Sequence, residues 1–313
     1  MIVTMTVPDI DSIAIDVTGL AKSYGSIHAV RGIDLEIAAG ENVALLGPNG
    51  AGKSTTIDMI FGLTRPDKGS VSIFGQSPTE AVRAGRIGGM LQTAAPPDHL
   101  KVRELVTLVA SYYPRALPVE DVLKLTGADQ FANQWTTKLS GGQAQRARFA
   151  AALVGDPDLM MLDEPTAGID VEGRREFWQA MRHFTESGKT VLFATHYLEE
   201  ADAFADRIIL LASGKIVADG PATEIKAKAG FRTIRATLPD APVEALRSLA
   251  GVVNAERHGN AITLMCSDAD TALNALMTTF HEVRDIEVRG GSLEEAFVEL
   301  TEGKSAEPNG AAP

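Results

Sequence analysis

Residues 42–55 read NVALLGPNGAGKST. An apolar strand, residues 42–46, runs straight into a glycine-rich turn, and the residues from Lys53 onward carry helical spacing. The turn fits G-x-x-x-x-G-K-[ST] through Gly47, Pro48, Asn49, Gly50, Ala51, Gly52, Lys53 and Ser54, in the strand–loop–helix setting this motif needs. Its glycines let backbone N–H groups turn inward onto phosphate oxygens, and the helix start adds partial positive charge. Lys53 is expected to neutralise β- and γ-phosphates and the Ser54 hydroxyl to bind Mg²⁺. Thr55 completes an expected ATP-binding run over residues 47–55.

On either side of this loop, short apolar strands alternate with helices. Residues 13–17, 33–37, 69–74, 159–162, 191–194 and 208–211 read as strands. The pattern predicts an α/β class, with a sheet covered on both faces. Residues 93–158 are rich in helix formers and read as a helical insertion between two strands of that sheet. A first domain is therefore expected over 13–222. Beyond Gly220 and Pro221 the composition shifts, and residues 223–303 read β-α-β-β-α-β plus a closing helix, the order of a ferredoxin-like split βαβ unit. Residues 1–12 and 304–313 read as tails, the latter of disordered type.

The formal net charge of −12 disfavours a role on bare nucleic acid, whose phosphates call for Lys and Arg. No apolar run approaches the roughly 18 residues needed to span a bilayer, and the start of the chain lacks a basic–apolar secretory pattern. Cys266 is the only cysteine, so no intrachain disulfide is possible and a cytoplasmic setting is expected. Cys266 itself reads as a small buried hydrophobe.

Two further motifs carry chemistry. Residues 159–165 (LMMLDEP) are an apolar strand ending in two carboxylates. A P-loop protein holds Mg²⁺ at such a strand end, which fits Asp163. Glu164, one residue on, suits a general base for an attacking water. Leu139, Ser140, Gly141, Gly142 and Gln143 form a small-residue turn opening a helix, followed by Gln145 and Arg146. That turn suits a phosphate, yet it also fits an ordinary N-cap at Ser140, which the physics alone favours.

In order, Tyr24, the loop at 47–54, Gln92, LSGGQ at 139–143, MMLDEP at 160–165, AGID at 167–170 and His196 resemble the nucleotide-binding domain of ATP-binding cassette (ABC) transporters. The likeness covers about residues 13–220 and implies ATP hydrolysis. It implies that Tyr24 stacks on adenine with Val30 beside it, and that Gln92 reaches Mg²⁺ and the attacking water while sensing a membrane partner. His196 would bond the γ-phosphate. Ser140 and Gly142, within the Leu139–Gln143 signature, would contact the γ-phosphate held by an opposite subunit, with Asp170 at the seam of that homodimer. A separate polytopic membrane permease is implied, holding the chain at the cytoplasmic face and docking near residues 93–105. Two features depart from the common pattern: Pro96 and Pro97 after Gln92, which make the coupling surface individual, and AGID in place of the commoner Ser-Ala-Leu-Asp, a variant frequent in one exporter branch. The stretch after His196 and the closing residues 292–301 are similar to ATPases of the daunorubicin-resistance exporter branch. The alternative is a soluble clamp or regulator of the same superfamily, uncoupled from transport.

Overall fold

The computed structural model describes residues 13–91, 97–228, 232–290 and 293–302. The chain divides into two compact units between Asp219 and Gly220.

The first unit runs β1 (Ile13–Tyr24), β2 (Ile27–Ala38), β3 (Asn42–Leu46), α1 (Lys53–Phe61), β4 (Lys68–Ile73), α2 (Pro78–Arg83), β5 (Ile87–Met90), α3 (Val102–Ala110), α4 (Val119–Leu125), α5 (Gly141–Leu153), β6 (Leu159–Asp163), α6 (Val171–Glu186), β7 (Thr190–Ala194), α7 (Leu198–Phe204), β8 (Arg207–Ala212) and β9 (Lys215–Gly220). Six strands form one sheet in the order β5-β6-β7-β3-β8-β9, and β5 through β8 pair in parallel. Every residue of β6 and β7 is buried, as expected for a parallel sheet covered on both faces.

The sequence reading of one sheet needs amending. β1, β2 and β4 form a separate antiparallel sheet in the order β2-β1-β4. β2 also begins at Ile27, six residues before the strand read at 33–37. Repeated register shifts in the β1–β2 ladder break the alternation by which a strand is recognised. β5 escaped the reading altogether because its sequence is IGGM. Its glycines serve close packing: a Cβ at Gly88 would lie 2.5 Å from the Ala152 carbonyl oxygen, and one at Gly89 would lie 2.3 Å from the Phe61 ring.

Between β5 and β6 the chain leaves the sheet for α3, α4, two short 3₁₀ turns and α5. α5 and α6 meet through Phe149 and Phe177, 4.8 Å apart. Trp178 stacks on Phe204 at 4.5 Å and meets Phe193 edge-on. Lys189, with 0% exposure, lies 3.0 Å from Asp156 and 3.6 Å from Asp158. Replacing Lys189 by alanine removes the cation facing the buried Asp156 carboxylate, while Asp158 keeps Arg86 at 2.7 Å and Arg115 at 3.3 Å. The expected loss is about 3–5 kcal/mol of unfolding free energy, checked by urea denaturation; a loss below 1 kcal/mol contradicts this account.

The second unit holds α8 (Ala222–Lys228), β10 (Arg232–Thr237), α9 (Val243–Arg247), β11 (Val252–His258), β12 (Ala261–Cys266), α10 (Ala269–Thr279), β13 (Arg284–Arg289) and α11 (Leu293–Glu302). Its antiparallel sheet has the order β11-β12-β10-β13, the ferredoxin-like arrangement that the element order predicts. Ile234, Ile262, Leu264 and Cys266 point into the core with Leu246, Ala272 and Leu276. Burial pushes the Cys266 thiol above its ordinary pKa, which suits a packing role rather than a reactive one.

Candidate functional site

β3 delivers the chain to Gly47, where a Cβ would lie 2.4 Å from the Leu211 carbonyl oxygen. Gly52 has φ +105°, and a Cβ there would lie 2.4 Å from the Ala29 carbonyl oxygen. Both positions therefore require glycine, one for close approach and one also for a left-handed backbone. The chain then enters α1, whose first turn carries no acidic residue and no side-chain cap. Its leading N–H groups remain available to an anion.

Lys53, the first residue of α1, folds back over the loop. Its Nζ donates to the Gly47 carbonyl at 2.6 Å and to the Pro48 carbonyl at 3.3 Å. Burial lowers its pKa, partly offset by Glu164 and Asp163. A desolvated ammonium of this kind gains strongly from a phosphate.

β6 places Asp163 beside the loop. Burial raises its pKa, opposed by a hydrogen bond from the Ser54 hydroxyl and by the charge of Lys53. Its Oδ1 is buried and has no hydrogen-bond partner among the described residues. A buried carboxylate oxygen without a donor, next to a hydroxyl, fits an oxygen-seeking Mg²⁺.

Glu164 follows at φ +52°, outside the strand. Its N–H donates to Ala194 at the end of β7. Its Oε2 lies 2.7 Å from Nδ1 of His196, which sits two residues beyond β7. Glu164 is thus turned out of the sheet and into a cleft of about 350 Å³, shared with Asn49, Gly50, Ala51, Gly52, Lys53, Ser54 and Thr55. Ile27 and Ala29 complete its wall.

The loop, Asp163, Glu164 and His196 therefore converge. The residues expected on the adenine side, Tyr24 and Val30, do not line this cleft. Tyr24 is 50% exposed at the tip of the β1–β2 hairpin and is not part of the cleft wall. Val30 points the opposite way from Ala29 and is buried in the core. Alternation along β2 decides this: Ile27 and Ala29 share one face and Val30 takes the other. Sequence reasoning missed Ile27 and Ala29 because nothing marks them except their phase in a strand whose start was misplaced.

The turn at 139–143 lies apart from this cleft. Ser140 caps α5, accepting from the Gln143 N–H at 3.3 Å, while the Gln143 side chain accepts from the Ser140 N–H at 3.0 Å. Ser140 and Gly141 are exposed and Leu139, Gly142 and Gln143 are half-buried. Gly141 packs against the Gly168 carbonyl, and Asp170 caps α6 through the Gly173 N–H at 2.8 Å. Gln145 ties α5 to the carboxylate pair by donating to the Pro165 carbonyl at 2.8 Å. Gln92 lies outside the described residues.

This arrangement of sheet, loop and carboxylates defines a P-loop ATP-binding protein. Residues 30–167 match the family model described as ABC transporter. The daunorubicin/doxorubicin resistance ATP-binding protein DrrA of Streptomyces peucetius is 36% identical, over 92% of each chain. The Nod factor export ATP-binding protein I of Rhizobium leguminosarum bv. viciae is 34% identical, over 92% of this chain and 95% of its own. The chain belongs to the ABC transporter family, as an ATP-binding subunit. Among solved structures, an ATP-binding subunit of an ABC transporter is similar at a TM-score of 0.64 and 26% identity, over 69% of this chain and 93% of that one. A dimeric, post-hydrolysis ATP-binding cassette bound to ADP and Pi is similar at 0.61 and 29% identity, over 66% of this chain and 98% of its own.

Proposed function

We propose that this chain hydrolyses ATP at the seam of a homodimer and so drives export through a separate membrane permease. The observation that carries the reading is a divided set of phosphate-binding groups. Lys53, Ser54 and Glu164 line one cleft, with Asp163 bonded to Ser54 and His196 to Glu164 beside it, whereas the exposed turn at Ser140 and Gly141 lies outside it. A second chain, meeting the first head to tail, completes each site with Leu139–Gln143, and Asp170 lies along the seam.

In this reading the loop from Gly47 to Thr55 and the α1 N-terminus hold the phosphates of ATP. Ser54 and Asp163 hold Mg²⁺, with Gln92 as a further ligand; the ion when bound neutralises charge on the β- and γ-phosphate oxygens. Ile27 and Ala29 supply apolar wall near Tyr24. Glu164 takes a proton from the attacking water, and His196 keeps its carboxylate aimed while bonding the γ-phosphate. Closure on two ATP molecules and reopening after hydrolysis give a cycle that a permease converts into transport. The names of the relatives in drug resistance and Nod factor export support export as its direction. No helix among the described residues is long and apolar enough to cross a membrane. The translocation path is therefore assigned to another subunit, docked through residues 93–105 at the cytoplasmic face.

Affinity purification of the full-length chain from detergent-solubilised cells is expected to recover one polytopic membrane protein in a constant ratio. Repeated recovery with ribosomes, and no membrane protein, would favour a soluble clamp instead.

A further inference from the structure

Glu200 is a carboxylate with 3% exposure in the first turn of α7 and is not among the residues lining the cleft. A buried charge persists only where it is paired and hydrogen-bonded. The partners of Glu200 come from the two segments that carry the cleft's acid and histidine. The Thr166 hydroxyl, two residues after Glu164, donates to its Oε1 at 2.7 Å. The Thr195 hydroxyl, one residue before His196, donates to its Oε2 at 3.3 Å. The same Thr195 oxygen accepts from the Tyr197 N–H at 3.0 Å, so the backbone on both sides of His196 is fastened to one carboxylate.

Arg174 from α6 adds a third tie. Its Nε lies 3.3 Å from Glu200 Oε1, an ion pair without hydrogen-bond alignment. Its guanidinium lies over the Tyr197 ring at 4.5 Å, and the Tyr197 ring lies against that of His196 at 4.0 Å. Arg174, Tyr197 and His196 are thus layered from the buried carboxylate out to Glu164.

This arrangement answers a need. His196 has a half-exposed side chain and Glu164 sits at a positive φ. Burial does not hold the His196 side chain, yet it must meet that of Glu164 at 2.7 Å. We infer that Glu200 is a positioning residue for ATP hydrolysis: it locks the turn after Glu164 to the turn bearing His196 and so sets the contact between those two side chains. The inference rests on the proposed roles of Glu164 and His196.

The test is a double-mutant cycle on the purified full-length protein, read by steady-state ATP hydrolysis. Glu200→Gln keeps volume and removes charge. It is expected to lower kcat about tenfold, within the loss that a small misplacement causes, with KM for ATP changed less than twofold. In a His196→Ala background the same substitution is expected to cost less than twofold, because the residue it positions is gone. An equal tenfold loss in both backgrounds, or a wild-type kcat for Glu200→Gln, overturns the inference. His196→Ala with undiminished turnover instead overturns the catalytic reading beneath it. Thr195→Val, which removes one hydroxyl without a charge, carries the same cycle if Glu200→Gln does not fold; it too should lose kcat only when His196 is present, and a wild-type kcat or a loss in both backgrounds overturns the inference.

Discussion

Lys53→Ala is expected to reduce ATP turnover by at least about a hundredfold, the scale set by removing one preorganised charge-stabilising donor. The reason lies in what Lys53 does without nucleotide. Its ammonium is buried and depressed in pKa, and it donates to the Gly47 and Pro48 carbonyls. Arriving phosphate exchanges those neutral acceptors for a charged one, a stronger bond in a poorly solvated cleft. Alanine removes the cation yet leaves Asp163 and Glu164 in place. The cleft then presents negative groups to a negative ligand, and binding falls together with turnover. Equilibrium binding of a fluorescent ATP analogue and a phosphate-release assay read the two effects. Unchanged turnover would contradict the site as described.

Glu164→Gln is expected to separate binding from chemistry. The substitution keeps the side chain's length and its place at the 2.7 Å contact with His196, while removing the charge that takes a proton. Turnover should fall by about 10²–10⁴, the usual contribution of general base catalysis. ATP binding should hold or tighten, because a carboxylate facing the γ-phosphate is repulsive and an amide is not. Since ATP joins the two chains in this account, a variant that binds without hydrolysing should accumulate as a dimer. Size-exclusion chromatography with light scattering, with and without ATP, reads this outcome; a monomer at saturating ATP counts against closure.

The parts of the site legible in the sequence were those in which chemistry and local structure share one short stretch. Strand, glycine turn, Lys53 and Ser54 lie within 13 residues of Asn42, so both geometry and role followed from order alone. Asp163 and Glu164 were legible for the same reason, at the end of an apolar strand. What escaped depends on distant partners or on broken patterns. β5 carries Gly88 and Gly89 where strand formers are expected, because α5 and α1 press on both of its faces. The wall residues Ile27 and Ala29 are fixed by the phase of β2, which register shifts with β1 obscure. Glu200 has no local signature, since its importance comes from Thr166, 34 residues away, and from Thr195. At Ser140 the N-cap favoured by elementary physics is the observed geometry. The cap and a role in trans are compatible, because the capping box leaves Ser140 and Gly141 exposed at the surface.

The central claim is that each ATP is held between the P-loop of one chain and the turn at Ser140 of another. Sedimentation of Glu164→Gln and of Glu164→Gln with Ser140→Arg, both at saturating ATP, tests it most directly. A bulky cation at Ser140 leaves the chain's own P-loop untouched, so ATP should bind to both proteins. The account predicts a dimer for the first and an ATP-loaded monomer for the second. Two dimers of equal stability would show that the turn at Ser140 takes no part in the seam, and would contradict it.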